Sequence, residues 1–140
     1  ANVLKTYEFK IKEKNINIKK DHLPECYGDP DQINQVFSNI IGNAIKFLKN
    51  DTEGEIKISY STKGEFNVYH VSDNGIGIDK ENQDKVFELF HRLDPAKTSG
   101  EGLGLTIVKK ILERHGGKIT LESKAGVGTT FFIYLLNKEF

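Results

Sequence analysis

The chain has no net charge: 20 lysines and arginines stand against 20 aspartates and glutamates in 140 residues. No overall field therefore favours nucleic acid or an anionic membrane, and any phosphate recognition has to come from local basic residues. Cysteine occurs once, as Cys26, which excludes an internal disulfide and any C-x-x-C metal or redox motif and suits a reducing, cytosolic setting. No apolar run approaches the roughly 20 residues that cross a bilayer, and the polar opening ANVLKTYEFK is not a signal peptide. Repeats, low-complexity tracts and internal linkers are missing too. What remains has the length of one ordinary domain, residues 1–140, with room for a real core. Because the first residue is Ala rather than Met, the expectation is a piece of a longer protein, with any membrane anchor in the missing part.

Apolar and polar residues alternate over Tyr7–Ile11 and Ile16–Lys20, which predicts two short strands. Asp29-Pro30 announces a helix, an N-cap acid followed by a residue tolerated in the first turn. From Ile33 to Leu48 the apolar residues then recur at i, i+3, i+4 and i+7. Glu55–Thr62 and Glu65–Ser72, split by Lys-Gly, predict a hairpin. Asp79 caps an expected short helix through Phe90, and HRLDPAKTSGEG follows as an aperiodic, mobile loop. A helix over Leu103–His115, stopped by Gly116-Gly117, and a closing hairpin of Lys118–Ser123 and Thr129–Leu136 complete the chain. Hairpin-paired strands with helices inserted between them favour an α+β layer over a doubly wound parallel sheet.

Three constellations could carry chemistry. Asn39, Asn43 and Lys46 fall at i, i+4 and i+7, within about 60° of one another and opposite the apolar stripe. A solvated face would account for them, but two asparagines stacked in mid-helix sacrifice helix propensity. An amide oxygen suits a hard cation, and a lysine one turn on suits phosphate. SDNGIGI places Asp73 at a strand end before Gly75 and Gly77; this is turn chemistry, or else an acid at a cleft rim that accepts a hydrogen bond from a ligand amino group. Gly100, Gly102 and Gly104 lead into a helix, either to end a loop and allow close packing or to bring phosphate oxygens onto unpaired amides at the positive dipole end. The G-x-x-x-x-G-K-[ST] loop and the dinucleotide fingerprint are both missing. HRLD, His91 to Asp94, has none of the other protein-kinase signatures beside it.

NIIGNAIKF, DNGIGI, VFELF, GEGLGL and the terminal GVGTTFFIYL resemble, in order, the N, G1, F and G2 boxes and the final strand of the ATP-binding domain of sensor histidine kinases. That domain belongs to the superfamily shared with gyrase, heat-shock chaperones and mismatch-repair ATPases. The resemblance runs from about Tyr7 to Leu136. It implies a two-layer α/β sandwich of the Bergerat type, a mixed sheet with helices on one face. It also implies bound ATP and Mg²⁺. Asn43 would be the Mg²⁺ ligand, Asn39 would line the phosphate side and Lys46 would reach the phosphates, while Phe47 would wall the adenine. Asp73 would accept from the adenine amino group, with Gly75 and Gly77 giving the base its close approach. Phe87 and Phe90 would anchor the lid, and Arg92 or Lys97 would meet the γ-phosphate. Gly100, Gly102 and Gly104, with the amides of Leu103 and Leu105, would cradle the phosphates, and Thr130 would make a water-mediated base contact.

Two departures sharpen the expectation. Gyrase and the chaperones carry a water-activating glutamate one turn before the Mg²⁺ asparagine. Here that residue is Asn39, which cannot act as a base, and this argues against a dedicated ATP hydrolase. Neither His22, His70, His91 nor His115 lies in an acceptor-histidine context; all four read as structural or solvated, with a positive charge at His115 suiting a helix end. The implied partners are therefore an acceptor-histidine helical dimerisation domain of the same protein and a downstream response regulator, with no nucleic acid and no direct membrane contact. The isolated domain would be a cytoplasmic monomer, unable to phosphorylate itself, and the parent a homodimer. A non-catalytic nucleotide-responsive docking module and a serine kinase of the anti-sigma type are the alternatives.

Overall fold

The computed structural model describes residues 5, 7–23, 26, 28–49, 53–83 and 101–137. Its first element is α1 (Glu8–Glu13), followed by β1 (Asn17–Lys20) and α2 (Pro30–Lys46). Two strands, β2 (Glu55–Lys63) and β3 (Phe66–Asp73), lead to a short α3 (Lys80–Gln83). The chain closes with α4 (Glu101–Arg114), β4 (Lys118–Lys124) and β5 (Gly128–Leu136). Strand order is β1-β2-β3-β5-β4. β1 runs parallel to β2 and every other pair is antiparallel, so the sheet is mixed as expected.

The expected strand at Tyr7–Ile11 is instead α1. Alternation at 7, 9 and 11 satisfies a strand, yet residues 7 and 11 also share one face of a helix. The side chains decide: Tyr7 and Ile11 pack on the core while Phe9 is 76% exposed, whereas a strand would have put all three on one side. Glu8 and Lys12, 3.1 Å apart one turn on, add a small exposed i, i+4 pair.

Asp29 caps α2 as expected, its Oδ1 accepting from the amides of Asp31 and Gln32 at 2.9 and 3.4 Å. Val36, Ile40, Ile41, Ala44 and Ile45 of this helix meet Val108, Ile111 and Leu112 of α4 and the inward faces of Ile56, Val71, Ile133 and Leu135 in a single cluster. α4 begins two residues earlier than predicted, so Gly102 belongs to its first turn and not to a preceding loop. Its end is a Schellman motif, with the Gly117 amide donating to Leu112 O at 2.8 Å and the Gly116 amide to Glu113 O at 3.2 Å. The outward face of the sheet carries edge-to-face ring pairs, Phe66–Tyr134 and His70–Phe132, with centroids 5.8 and 4.9 Å apart. Among the described residues no helix is long and apolar enough to cross a membrane.

Candidate functional site

β3 ends on Asp73, which pairs with Ile56 of β2 and Thr129 of β5 at the edge of a narrow cavity. α2 contributes Asn43, Ala44 and its C-cap Phe47; the segment after β3 contributes Ile76, Gly77 and Ile78; Leu105, Thr129 and Phe131 complete the lining. Asp73 is the acid in this apolar lining. Burial pushes its carboxyl up from an ordinary 3.8 to about 6, against the opposing pull of the Gly75 and Thr129 amides. Its Oδ1 accepts from Gly75 N at 2.8 Å, which leaves a carboxylate capacity to accept further hydrogen bonds from a ligand.

The glycines beside it have a reason within the protein itself. A methyl group on Gly75 would stand 2.3 Å from the carbonyl oxygen of Phe47, and one on Gly77, whose φ is +72°, would stand 2.2 Å from that of Lys124. Both glycines thus admit protein backbone, from the end of α2 on one side and from the β4–β5 turn on the other. Hydrogen bonds fasten the same two crossings: Ile76 N to Phe47 O at 2.9 Å and Gly126 N to Ile76 O at 2.7 Å. Lys49 Nζ also donates to Gly126 O. The Asp73 rim is therefore built from main chain.

Thr129, not Thr130, lines the cavity. Successive side chains of a strand point to opposite faces. Phe131, Ile133 and Leu135 face the core, so Thr129 faces it with them, while Thr130 lies on the far face and bonds Ser72 Oγ at 2.8 Å. Sequence alone could not choose, because FFIYLL is apolar on both faces.

On α2, Asn43 is only 8% exposed, Asn39 is half-buried and Lys46 is exposed. The solvated-face reading fails for Asn43, since α4 packs across α2 and Leu105 shares the cavity with it. Asn43 and Phe47 reach the cavity that holds Asp73; Asn39 and Lys46 are outside its lining. No group of three or more His, Cys, Asp or Glu side chains among the described residues could hold a metal. One amide oxygen fits Mg²⁺ nonetheless, because that ion is usually held by one or two protein oxygens together with substrate phosphates. In a helix starting at Glu101 the amides of the first turn, Leu103 included, have no intrahelical partner, and the dipole there favours an anion. Leu105, one turn in, contributes a buried side chain. Phe87, Phe90, His91, Arg92, Lys97 and Gly100 lie outside the described residues.

None of the histidines His22, His70 and His115 lines the cavity. His70 is on the outward face, 2.9 Å from Ser61 Oγ, with burial pulling its pKa down. His115 is structural, held at both ring nitrogens. Its Nε2 accepts from Asp29 N at 3.1 Å and its Nδ1 lies 2.8 Å from Ile111 O. In that pairing Nε2 is the acceptor and Nδ1 the donor.

Residues 28–139 match the family described as histidine kinase-, DNA gyrase B- and HSP90-like ATPase. The chain is 44% identical over 131 residues to cyanobacterial phytochrome B of a Nostoc species, covering 90% of this chain and 17% of that protein. It is 43% identical over 110 residues to the sensor protein kinase WalK of Staphylococcus saprophyticus, covering 76% and 18%. It thus spans less than a fifth of these relatives. Among solved structures, the catalytic domain of histidine kinase ThkA superposes with a TM-score of 0.81 at 30% identity, covering 98% of this chain and 90% of that one. Full-length ShkA in complex with AMPPNP gives 0.78 at 26%, covering 99% and 29%. The chain belongs to the histidine kinase-, DNA gyrase B- and HSP90-like ATPase family and is, within it, an ATP-binding catalytic domain of the sensor histidine kinase type.

Proposed function

We propose that the chain holds Mg·ATP between α2 and the start of α4 and presents its γ-phosphoryl group to a histidine on a separate helical dimerisation domain, from which a response regulator takes it. The observation that carries this reading is the placement of three polar side chains, the half-buried Asp73 and the buried Asn43 and Thr129, on one otherwise apolar cavity. Asp73 accepts from the adenine amino group, and Phe47 and Ile76 cover the ring. Asn43 offers its amide oxygen to the cation, with Asn39 and Lys46 beside the phosphates. The first-turn amides of α4, at Gly102 and Leu103, and the glycine segment before them meet the phosphate oxygens, with Arg92 or Lys97 at the γ-phosphate. When bound, Mg²⁺ neutralises phosphate charge.

Nothing at the site needs to act as a base. A neutral imidazole nitrogen of the acceptor forms the N–P bond as the bond to the β-phosphate oxygen breaks, ADP leaves with the electron pair, and the imidazole loses its proton. The contribution of this chain is positioning and charge stabilisation, which accords with an asparagine rather than a glutamate at 39.

Mixing the chain with a cognate acceptor domain and γ-labelled ATP tests the reading. An acid-labile, alkali-stable phosphohistidine on the acceptor is expected. Acid-stable phosphate would indicate a serine kinase, and nucleotide binding without transfer a docking module; either result overturns the histidine assignment.

A further inference from the structure

Glycine is among the poorest helix formers, yet α2 places one, Gly42, immediately before Asn43. Its neighbour explains it. A methyl group at 42 would stand 2.6 Å from Tyr7 Oη and 3.2 Å from Tyr7 Cζ. The tyrosine sits at the N-cap of α1, 31 residues upstream of Ser38 in the chain. Its hydroxyl donates to the carbonyl oxygen of Ser38 at 3.0 Å and lies 3.3 Å from Ser38 Oγ. That carbonyl is the one that receives the Gly42 amide within the helix, and an oxygen with two lone pairs takes both. Ser38 and Gly42 each precede one of the two asparagines, Asn39 and Asn43. The ring therefore grips a strip of α2 turned about 100° from the amide strip.

We propose that Tyr7 is a positioning residue for the nucleotide grip: its hydroxyl, seated in the notch left by Gly42, fixes the rotation of α2 about its axis and so the aim of Asn39 and Asn43 at the cation and phosphates. The inference rests on the assignment of Asn43 to the cation. It is separate from the packing of α1, because Ile11 and the Tyr7 ring hold that helix to the core without any hydroxyl.

Nucleotide affinity measured by calorimetry on the full chain, in Mg²⁺ buffer and in EDTA, with thermal melting alongside, tests it. Tyr7→Phe keeps the ring and should weaken Mg·ATP about three- to tenfold, with less than about a twofold change in EDTA and a nearly constant Tm. Gly42→Ala favours the helix but expels the hydroxyl, and should weaken Mg·ATP by at least about tenfold with the same dependence on Mg²⁺. Ser38→Ala keeps the accepting carbonyl and should stay within about twofold of the parent. Unchanged Mg·ATP affinity in both Tyr7→Phe and Gly42→Ala, or equal losses in the two buffers with a fallen Tm, would overturn the proposal. Asn43→Ala separates the two levels. If it removes the Mg²⁺ dependence while the Tyr7 and Gly42 variants are silent, only the positioning role falls. If it has no effect, the cation assignment falls and the positioning role with it.

Discussion

The two ends of the cavity are built by different means. Around Asp73 the shape is set by main chain, where Gly75 and Gly77 let three backbone segments cross and carbonyl–amide bonds lock them. At the α2 end it is set by side chains, Asn43 projecting from the last turn of the helix and Phe47 from its C-cap. A change at the first end should therefore damage fold and binding together, and a change at the second should damage binding alone.

The largest effect is expected for Gly77→Ala. Its φ of +72° and the 2.2 Å approach to Lys124 O leave no room for a methyl group, so stability should fall by about 2 to 4 kcal/mol and nucleotide binding should be lost. Melting and calorimetry check this, and a stable variant that still binds ATP would break the contrast. Asn43→Ala comes next. It should abolish the difference between ATP affinity in Mg²⁺ and in EDTA while leaving Tm nearly unchanged.

Asp73→Asn sharpens the comparison by separating the two properties at the main-chain end. Affinity for ATP should drop by about 1.5 to 3 kcal/mol, roughly tenfold to somewhat over a hundredfold. Stability should move the other way. The folded carboxyl titrates at about 6 against an ordinary 3.8, so the folded state binds the proton more tightly and stability falls as pH rises between those values. The cost, about 2 to 3 kcal/mol, is absent below 3.8 and complete above about 6. Denaturation at pH 4 and pH 7 should thus show the variant gaining on the parent only at the higher pH. The smallest effect distinguishes neighbours on β5: Thr129→Val should weaken ATP about three- to tenfold and Thr130→Val by less than about twofold.

Much of this was legible in the sequence, for identifiable reasons. α2 announces itself by an N-cap, a proline and an unbroken apolar stripe, and both hairpins by turn residues between β-rich runs. Residue types at the site were legible as well, because Asn43, Asp73 and the glycines keep their chemistry whatever surrounds them. What escaped depended on contacts between distant segments. Period-two alternation in α1 resolved into a helix only once Phe9 had no surface to cover it. The side of β5 that Thr130 occupies is undefined in a run apolar on both faces. The amide that donates to His115 comes from 86 residues away in the chain. The need for Gly77 lies in a turn some 50 residues downstream, where Lys124 comes within reach of its missing Cβ.

The most direct test of the account is a crystal structure of the chain with Mg²⁺ and a non-hydrolysable ATP analogue. The adenine amino group should lie within hydrogen-bond distance of the Asp73 carboxylate, the Asn43 amide oxygen on the cation, and the phosphates at the first turn of α4. A nucleotide seated elsewhere, or a metal without Asn43 among its ligands, would contradict it.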